Sequence, residues 1–187
     1  MEQSNPSKGP HSLIGEQHLA EMILTASRTP AAGCFVEVGV YRGGSAWHLY
    51  ALAQSQARAL YLYDTFKGIP HKDPIDSHSV GDFADTSHAA VMALFPDAWV
   101  VKGIFPASAL PMPGIAFVHL DCDQYRSVRE SVVYLQPKMM RGGIMWFDDS
   151  PCLAGARQAV QELFGDRLQL SSEHGKHFVI FDNNGQR

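Results

Sequence analysis

Cysteine is scarce in this 187-residue chain, and Cys34, Cys122 and Cys152 are odd in number and scattered. That pattern excludes a disulfide framework and fits reduced thiols in the cytoplasm. No apolar run reaches the roughly 18 residues that a membrane-spanning helix needs, and the first residues do not read as a signal peptide. No Lys/Arg cluster interrupts a mildly acidic balance of −4, so neither nucleic acid nor an anionic membrane is an expected partner. Internal repeats are also missing. The length suits one domain with a sizeable core, after a Ser/Pro/Gly-rich tail over residues 1–10.

What is present centres on two apolar runs that end in carboxylates. Val118-His119-Leu120 leads into Asp121-Cys122-Asp123-Gln124-Tyr125, and Trp146-Phe147 leads into Asp148-Asp149. Short apolar runs read as buried strands, and open α/β sheets bind ligands at the carboxyl ends of their strands. If the two strands are parallel neighbours, Asp121, Asp148 and Asp149 converge at one edge of the sheet. They would repel one another strongly unless they shared a cation.

The rest of the chain alternates strands and helices. A helical face over 13–26 includes Leu13, Ile14, Leu19, Met22 and Ile23, and a buried strand follows from Cys34 to Val40. The turn Tyr41-Arg42-Gly43-Gly44-Ser45 opens a helix to about Gln56, and Leu60–Tyr63 is a strand ending in Asp64. Helices near 87–95, 127–135 and 155–164 alternate with strands at 99–101, 115–120 and 144–147. Leu168–Leu170 and Phe178–Asp182 close the chain as a hairpin. The fold class is therefore α/β, a doubly wound and mainly parallel sheet. Residues 65–85 have few apolar anchors and are punctuated by Gly68, Pro70, Pro74 and Gly81. A loop of that length reads as a lid that orders over a ligand.

Glu37-Val38-Gly39-Val40-Tyr41-Arg42-Gly43-Gly44-Ser45 joins a strand to a helix, where nucleosides commonly bind. The NAD fingerprint places a second glycine where this chain has Tyr41, which disfavours a dinucleotide and an NAD-dependent oxidoreductase. S-adenosylmethionine has no pyrophosphate, and Asp64 can accept hydrogen bonds from its ribose. An ordinary tight turn is the competing reading of the glycines, and a helix cap or solvated acid that of Asp64.

The all-oxygen set Asp121, Asp148 and Asp149 suits Mg²⁺ or another hard divalent cation rather than zinc. Such a cation could hold an acceptor through two neighbouring oxygens and acidify one hydroxyl, with Asp123 placed to take the proton. The bland alternative is that these acids cap helices. His119 reads as a core histidine. Cys122 with His119 does not make a thiol nucleophile, because no orienting group accompanies them.

Phe35–Ser45, Tyr63-Asp64-Thr65-Phe66-Lys67-Gly68-Ile69-Pro70, Gly81-Asp82-Phe83, His119–Ser127 and Gly142–Asp149 resemble the macrocin/mycinamicin sugar O-methyltransferase family. The resemblance runs from about residue 30 to about residue 165. It implies a class I S-adenosylmethionine fold and Mg²⁺-dependent methyl transfer to a hydroxyl. By that match Asp121, Asp148 and Asp149 are metal ligands and Asp123 is a candidate base, with a histidine as the alternative. Glu37, Gly39, Tyr41, Ser45 and Asp64 are cofactor contacts, with Asp121 beside both groups. The implied acceptor is a small molecule, a sugar or glycosylated natural product, with a catechol or other vicinal diol as alternative. Phe66, Phe83 and Trp146 are expected to stack on it. The chain lacks the longer N-terminal portion often found in the family, so either the acceptor is small or a second subunit completes the site. Homo-oligomerisation stays open. Gln124 is not shared by all members.

Overall fold

The computed structural model describes residues 9–182. Seven strands form one sheet in the order β3-β2-β1-β4-β5-β7-β6. They are β1 (Cys34–Val38), β2 (Leu60–Asp64), β3 (Trp99–Lys102), β4 (Ile115–Leu120), β5 (Met139–Phe147), β6 (Gln169–Leu170) and β7 (His177–Phe181). The first five pair in parallel, and β7 runs antiparallel to both β5 and β6. The chain winds outward in one direction through β2 and β3 and in the other through β4 and β5. The β1–β4 junction is thus the switch point where such sheets open a crevice.

Two cores flank this sheet, and strand alternation assigns residues to them. Val36, Val38, Val118, Leu120, Met145 and Phe147 face α4 (Tyr125–Leu135) and α5 (Ala154–Phe164). Phe35, Leu62, Phe117, Ile144 and Trp146 face α1 (Glu16–Ser27), α2 (Gly44–Ser55) and α3 (His88–Leu94). In α4, Val128, Val132 and Leu135 recur at helical spacing and are all buried. Each such side chain contributes roughly 1.5–3 kcal/mol by leaving water. Every residue of β1 and β4 is buried, which fixes the register at the ligand-binding edge.

The doubly wound sheet and its closing antiparallel pair are as expected, but several details differ. Strand β1 stops at Val38 rather than Val40, because Gly39 has φ +93° and Tyr41 φ +51°, outside strand geometry. The first helix begins at Glu16, so Leu13 and Ile14 precede it instead of lying on its face. Strand β5 starts early, at Met139, and its pairing with β4 shifts register before Ile144. Of the expected N-terminal tail, residues 1–8 lie outside the described residues.

Candidate active site

The glycine turn and Asp64 form one hydrogen-bonded unit. Asp64 Oδ2 accepts from the backbone N–H of Val40 at 2.9 Å and of Tyr41 at 2.8 Å. Its Oδ1 accepts from Phe66 N–H at 2.6 Å. A carboxylate offers about four acceptor positions, so one remains for a ribose hydroxyl. These amides hold Tyr41 in the left-handed region that a bulky residue rarely adopts. Gly39 is required for a different reason. A Cβ there would lie 1.7 Å from the main-chain oxygen of Asp121, so only glycine lets the ends of β1 and β4 touch.

Behind the turn, Ser45 Oγ donates to Glu37 Oε1 at 2.5 Å, and His119 Nδ1 lies 3.4 Å from the same oxygen. Glu37 and His119 are wholly buried. Burial works to lower the His119 pKa, but the Glu37 carboxylate, aided by Asp148 and Asp149, outweighs it and raises the value.

At the ends of β4 and β5, Asp121, Asp148 and Asp149 each offer an oxygen within 4.8 Å of the others. Burial, then the neighbouring Asp149, Asp148 and Asp123 charges, push the Asp121 carboxyl well above its ordinary range. Burial, then the Asp123 and Asp148 charges, lift Asp149 to about 7, against an opposing pull from the Asp123 N–H and Lys176. Asp123 rises to about 6, through burial and then Asp148, Asp64, Asp76 and Asp82. Asp123 is itself left-handed, with φ +59°, and its N–H donates to Asp149 Oδ2 at 3.0 Å. Asp148 Oδ1 is buried with no hydrogen-bond partner. An orphaned oxygen among crowded, partly protonated carboxylates fits a hard divalent cation. Burial and the same acids push the Cys122 thiol well up, which removes it as a nucleophile.

These groups line a cavity of about 300 Å³, together with Gly39, Tyr41, Thr65, Ile69, Phe83, Ile104 and Phe105. Gly39, Tyr41, Asp64, Asp121, Asp123, Asp148 and Asp149 therefore meet in one place. Glu37 and Ser45 do not line the cavity and support the turn from behind. Trp146 is a correction: it is fully buried and stacks on Phe178 at 6.1 Å, in the core under α1 and α2, where no acceptor reaches it. Phe66 is buried as well and packs against His88. Phe83 does reach the cavity and meets the Tyr41 ring edge-on at 5.8 Å.

Residues 65–85 are tied down at several points. Gln124, fully buried, donates from Nε2 to the carbonyls of His71 (3.2 Å) and His78 (3.1 Å). Asp76 Oδ1 accepts from Tyr125 N–H at 2.8 Å, at the start of α4. Asp85 pairs with Arg42 and accepts from Tyr41 Oη at 2.8 Å, and Thr86 Oγ1 donates to the Tyr41 carbonyl. His78 Nε2 stands 3.7 Å from Asp123 Oδ1. Sequence reasoning missed Leu13, Ile14 and Ile104 as cavity walls; none sits in a motif. It also missed Lys176, whose Nζ donates to Asp148 Oδ2 at 2.9 Å. A lone lysine between two closing strands gives no signal.

A nucleoside-sized crevice at the switch point, one acid at the end of β2 and a glycine turn after β1 define a class I S-adenosylmethionine-dependent methyltransferase. Residues 2–173 match the family described as Macrocin-O-methyltransferase (TylF), and the chain belongs to that family. It is an S-adenosylmethionine-dependent O-methyltransferase. It is 26% identical over 182 residues to 8-demethyl-8-(2,3-dimethoxy-alpha-L-rhamnosyl)-tetracenomycin-C 4'-O-methyltransferase of Streptomyces olivaceus, covering 83% of this chain and 68% of that protein. Its fold is similar to that of the O-methyltransferase NovP, with a TM-score of 0.79 and 20% identity over 94% of this chain and 84% of the other. CalS11, a calicheamicin methyltransferase, gives a TM-score of 0.71 and 20% identity over 87% and 77% of the two chains.

Proposed function

We propose that the chain methylates a sugar hydroxyl of a glycosylated natural product, with a divalent cation, Mg²⁺ by preference, held by Asp121, Asp148 and Asp149. The observation that carries this reading is the carboxylate cluster, with oxygens within 4.8 Å and Asp148 Oδ1 unpartnered, directly beside Asp123. The rhamnosyl-tetracenomycin relative supports a sugar acceptor by its name. The free thiols of Cys34, Cys122 and Cys152 fit an enzyme of the cytoplasm.

S-adenosylmethionine supplies the methyl group on a sulfonium, which is already a good leaving group. A bound divalent cation would lower the pKa of an acceptor hydroxyl. The protein's part is to aim that oxygen and remove its proton. Asp64 and the turn amides fix the cofactor's end of the cavity, while Asp123, raised toward neutrality, accepts the proton as the oxygen–carbon bond forms. The sulfur keeps the electron pair of the bond that breaks. Residues 65–85 act as the lid, latched by Gln124 and Asp85, and exclude water from the transfer.

The test is methyl transfer to a panel of glycosides and a panel of catechols, each with EDTA and after Mg²⁺ is restored. Turnover of a glycoside that EDTA abolishes and Mg²⁺ restores is expected. Turnover of catechols alone would move the acceptor to the aromatic diols. Full activity in a rigorously chelated sample would remove the cation.

A further inference from the structure

Lys176 is the one buried lysine or arginine among the described residues. It lies at the end of the turn between β6 and β7, and its own backbone is fixed there. Ser171 N–H donates to the Lys176 carbonyl at 3.0 Å, and Lys176 N–H donates to Ser171 Oγ at 3.1 Å. The next residue is also anchored, since His177 Nδ1 lies 2.8 Å from Ser150 Oγ, just beyond Asp149. From this base the Lys176 ammonium donates twice to one residue: to the Asp148 main-chain oxygen at 2.8 Å and to Asp148 Oδ2 at 2.9 Å. The other carboxylate oxygen, Oδ1, keeps no partner.

We infer that Lys176 is a positioning residue that sets which cation the site prefers. Its donation engages Oδ2 and leaves Oδ1 as the carboxylate's unpartnered oxygen, which favours Asp148 as a one-oxygen ligand. Small cations such as Mg²⁺ demand near-octahedral geometry with single oxygens, whereas Ca²⁺ accepts six to eight ligands and two oxygens from one carboxylate. A held Asp148 therefore favours Mg²⁺ over Ca²⁺. Without the ammonium, Oδ2 is released, and Ca²⁺ gains a ligand that Mg²⁺ cannot use as well. The inference rests on the divalent-cation reading above.

The experiment is calorimetric titration of Mg²⁺ and of Ca²⁺ into metal-free wild type, Lys176→Met and Lys176→Arg. Residues that orient metal ligands typically change affinity by about tenfold to a hundredfold. Loss of the ammonium also removes a repulsion that both ions share, so the ratio is the readout: Lys176→Met should move the ratio of the two affinities toward Ca²⁺ by about that factor. Lys176→Arg, which keeps a cationic donor, should hold the ratio near wild type. A general loss of stability would not move the ratio. Should Lys176→Met fail to fold, Lys176→Ala also removes the donor to Oδ2, and the same shift toward Ca²⁺ is expected. An unchanged ratio in a folded, uncharged variant, with wild type binding Mg²⁺ normally, overturns the positioning role and leaves the cation site intact. Wild type that binds neither ion removes the cation reading and this inference together.

Discussion

Asp64 holds Tyr41 by its backbone: Oδ2 of the acid accepts the Tyr41 N–H at 2.8 Å. The residue expected to read a ribose therefore also builds the turn proposed to face the methionine end of the cofactor. Replacing Asp64 with Ala should weaken S-adenosylhomocysteine binding by roughly 1–3 kcal/mol and lower the melting temperature as well. Calorimetry and thermal denaturation measure the two effects. Unchanged affinity with a lowered melting temperature would limit Asp64 to its structural role.

Asp123→Asn should keep cofactor and cation binding but lose turnover by about two to four orders of magnitude, the usual worth of general-base catalysis. Single-turnover methyl transfer is the readout. Near-normal turnover would pass the proton to another group, with His78 first in line because its ring faces Asp123 at 3.7 Å.

The raised carboxyls make stability depend on pH in a stated direction. An unfolded aspartate releases its proton near pH 3.9, whereas Asp123 holds one to about 6 and Asp149 to about 7 in the fold. Between those limits the folded chain binds more protons than the unfolded one, so stability falls as pH rises. In EDTA the melting temperature should drop between pH 4 and pH 7, as these two groups ionise. Saturating Mg²⁺ should flatten that drop. A melting temperature that rises steadily across the window, in EDTA, would contradict the crowding of charge at this site.

Gln124→Ala should loosen the loop without touching the cofactor. Two hydrogen bonds from a fully buried side chain are lost, those to the His71 and His78 carbonyls. Amide exchange over residues 71–78 should accelerate and turnover should fall, with S-adenosylhomocysteine affinity near wild type. Native protection throughout the loop would show that Gln124 is not its anchor.

Much of this architecture was legible in the sequence because it is carried by local signals. The apolar runs ending at Asp121 and Asp148 announce strand ends, and Tyr41 in place of a glycine separates this turn from a dinucleotide site. Trp146 misled because nearness along the chain to Asp148 is not nearness in space. Strand alternation sends its ring to the α1–α2 side, while the carboxylates emerge at the strand tip. Leu13, Ile104 and Lys176 were silent for another reason: each reaches the site through tertiary folding, from a segment whose own pattern carries no chemistry. Gln124 was visible only as a departure from the family. Its role as anchor depends on main-chain oxygens, which every residue has and no sequence can mark.

The close approach at Gly39, where an added Cβ would lie 1.7 Å from the Asp121 main-chain oxygen, has a bearing on redesign. Where the ends of β1 and β4 meet main chain to main chain, no side chain can be inserted at Gly39 without displacing the Asp121 backbone. The cavity's outer walls are made differently, from the side chains of Leu13, Phe83 and Ile104 on segments outside the regular strands and helices. Variation confined to those three positions can reshape what enters while the contact between the ends of β1 and β4 stays as the backbone sets it. A library for new acceptors belongs on that rim.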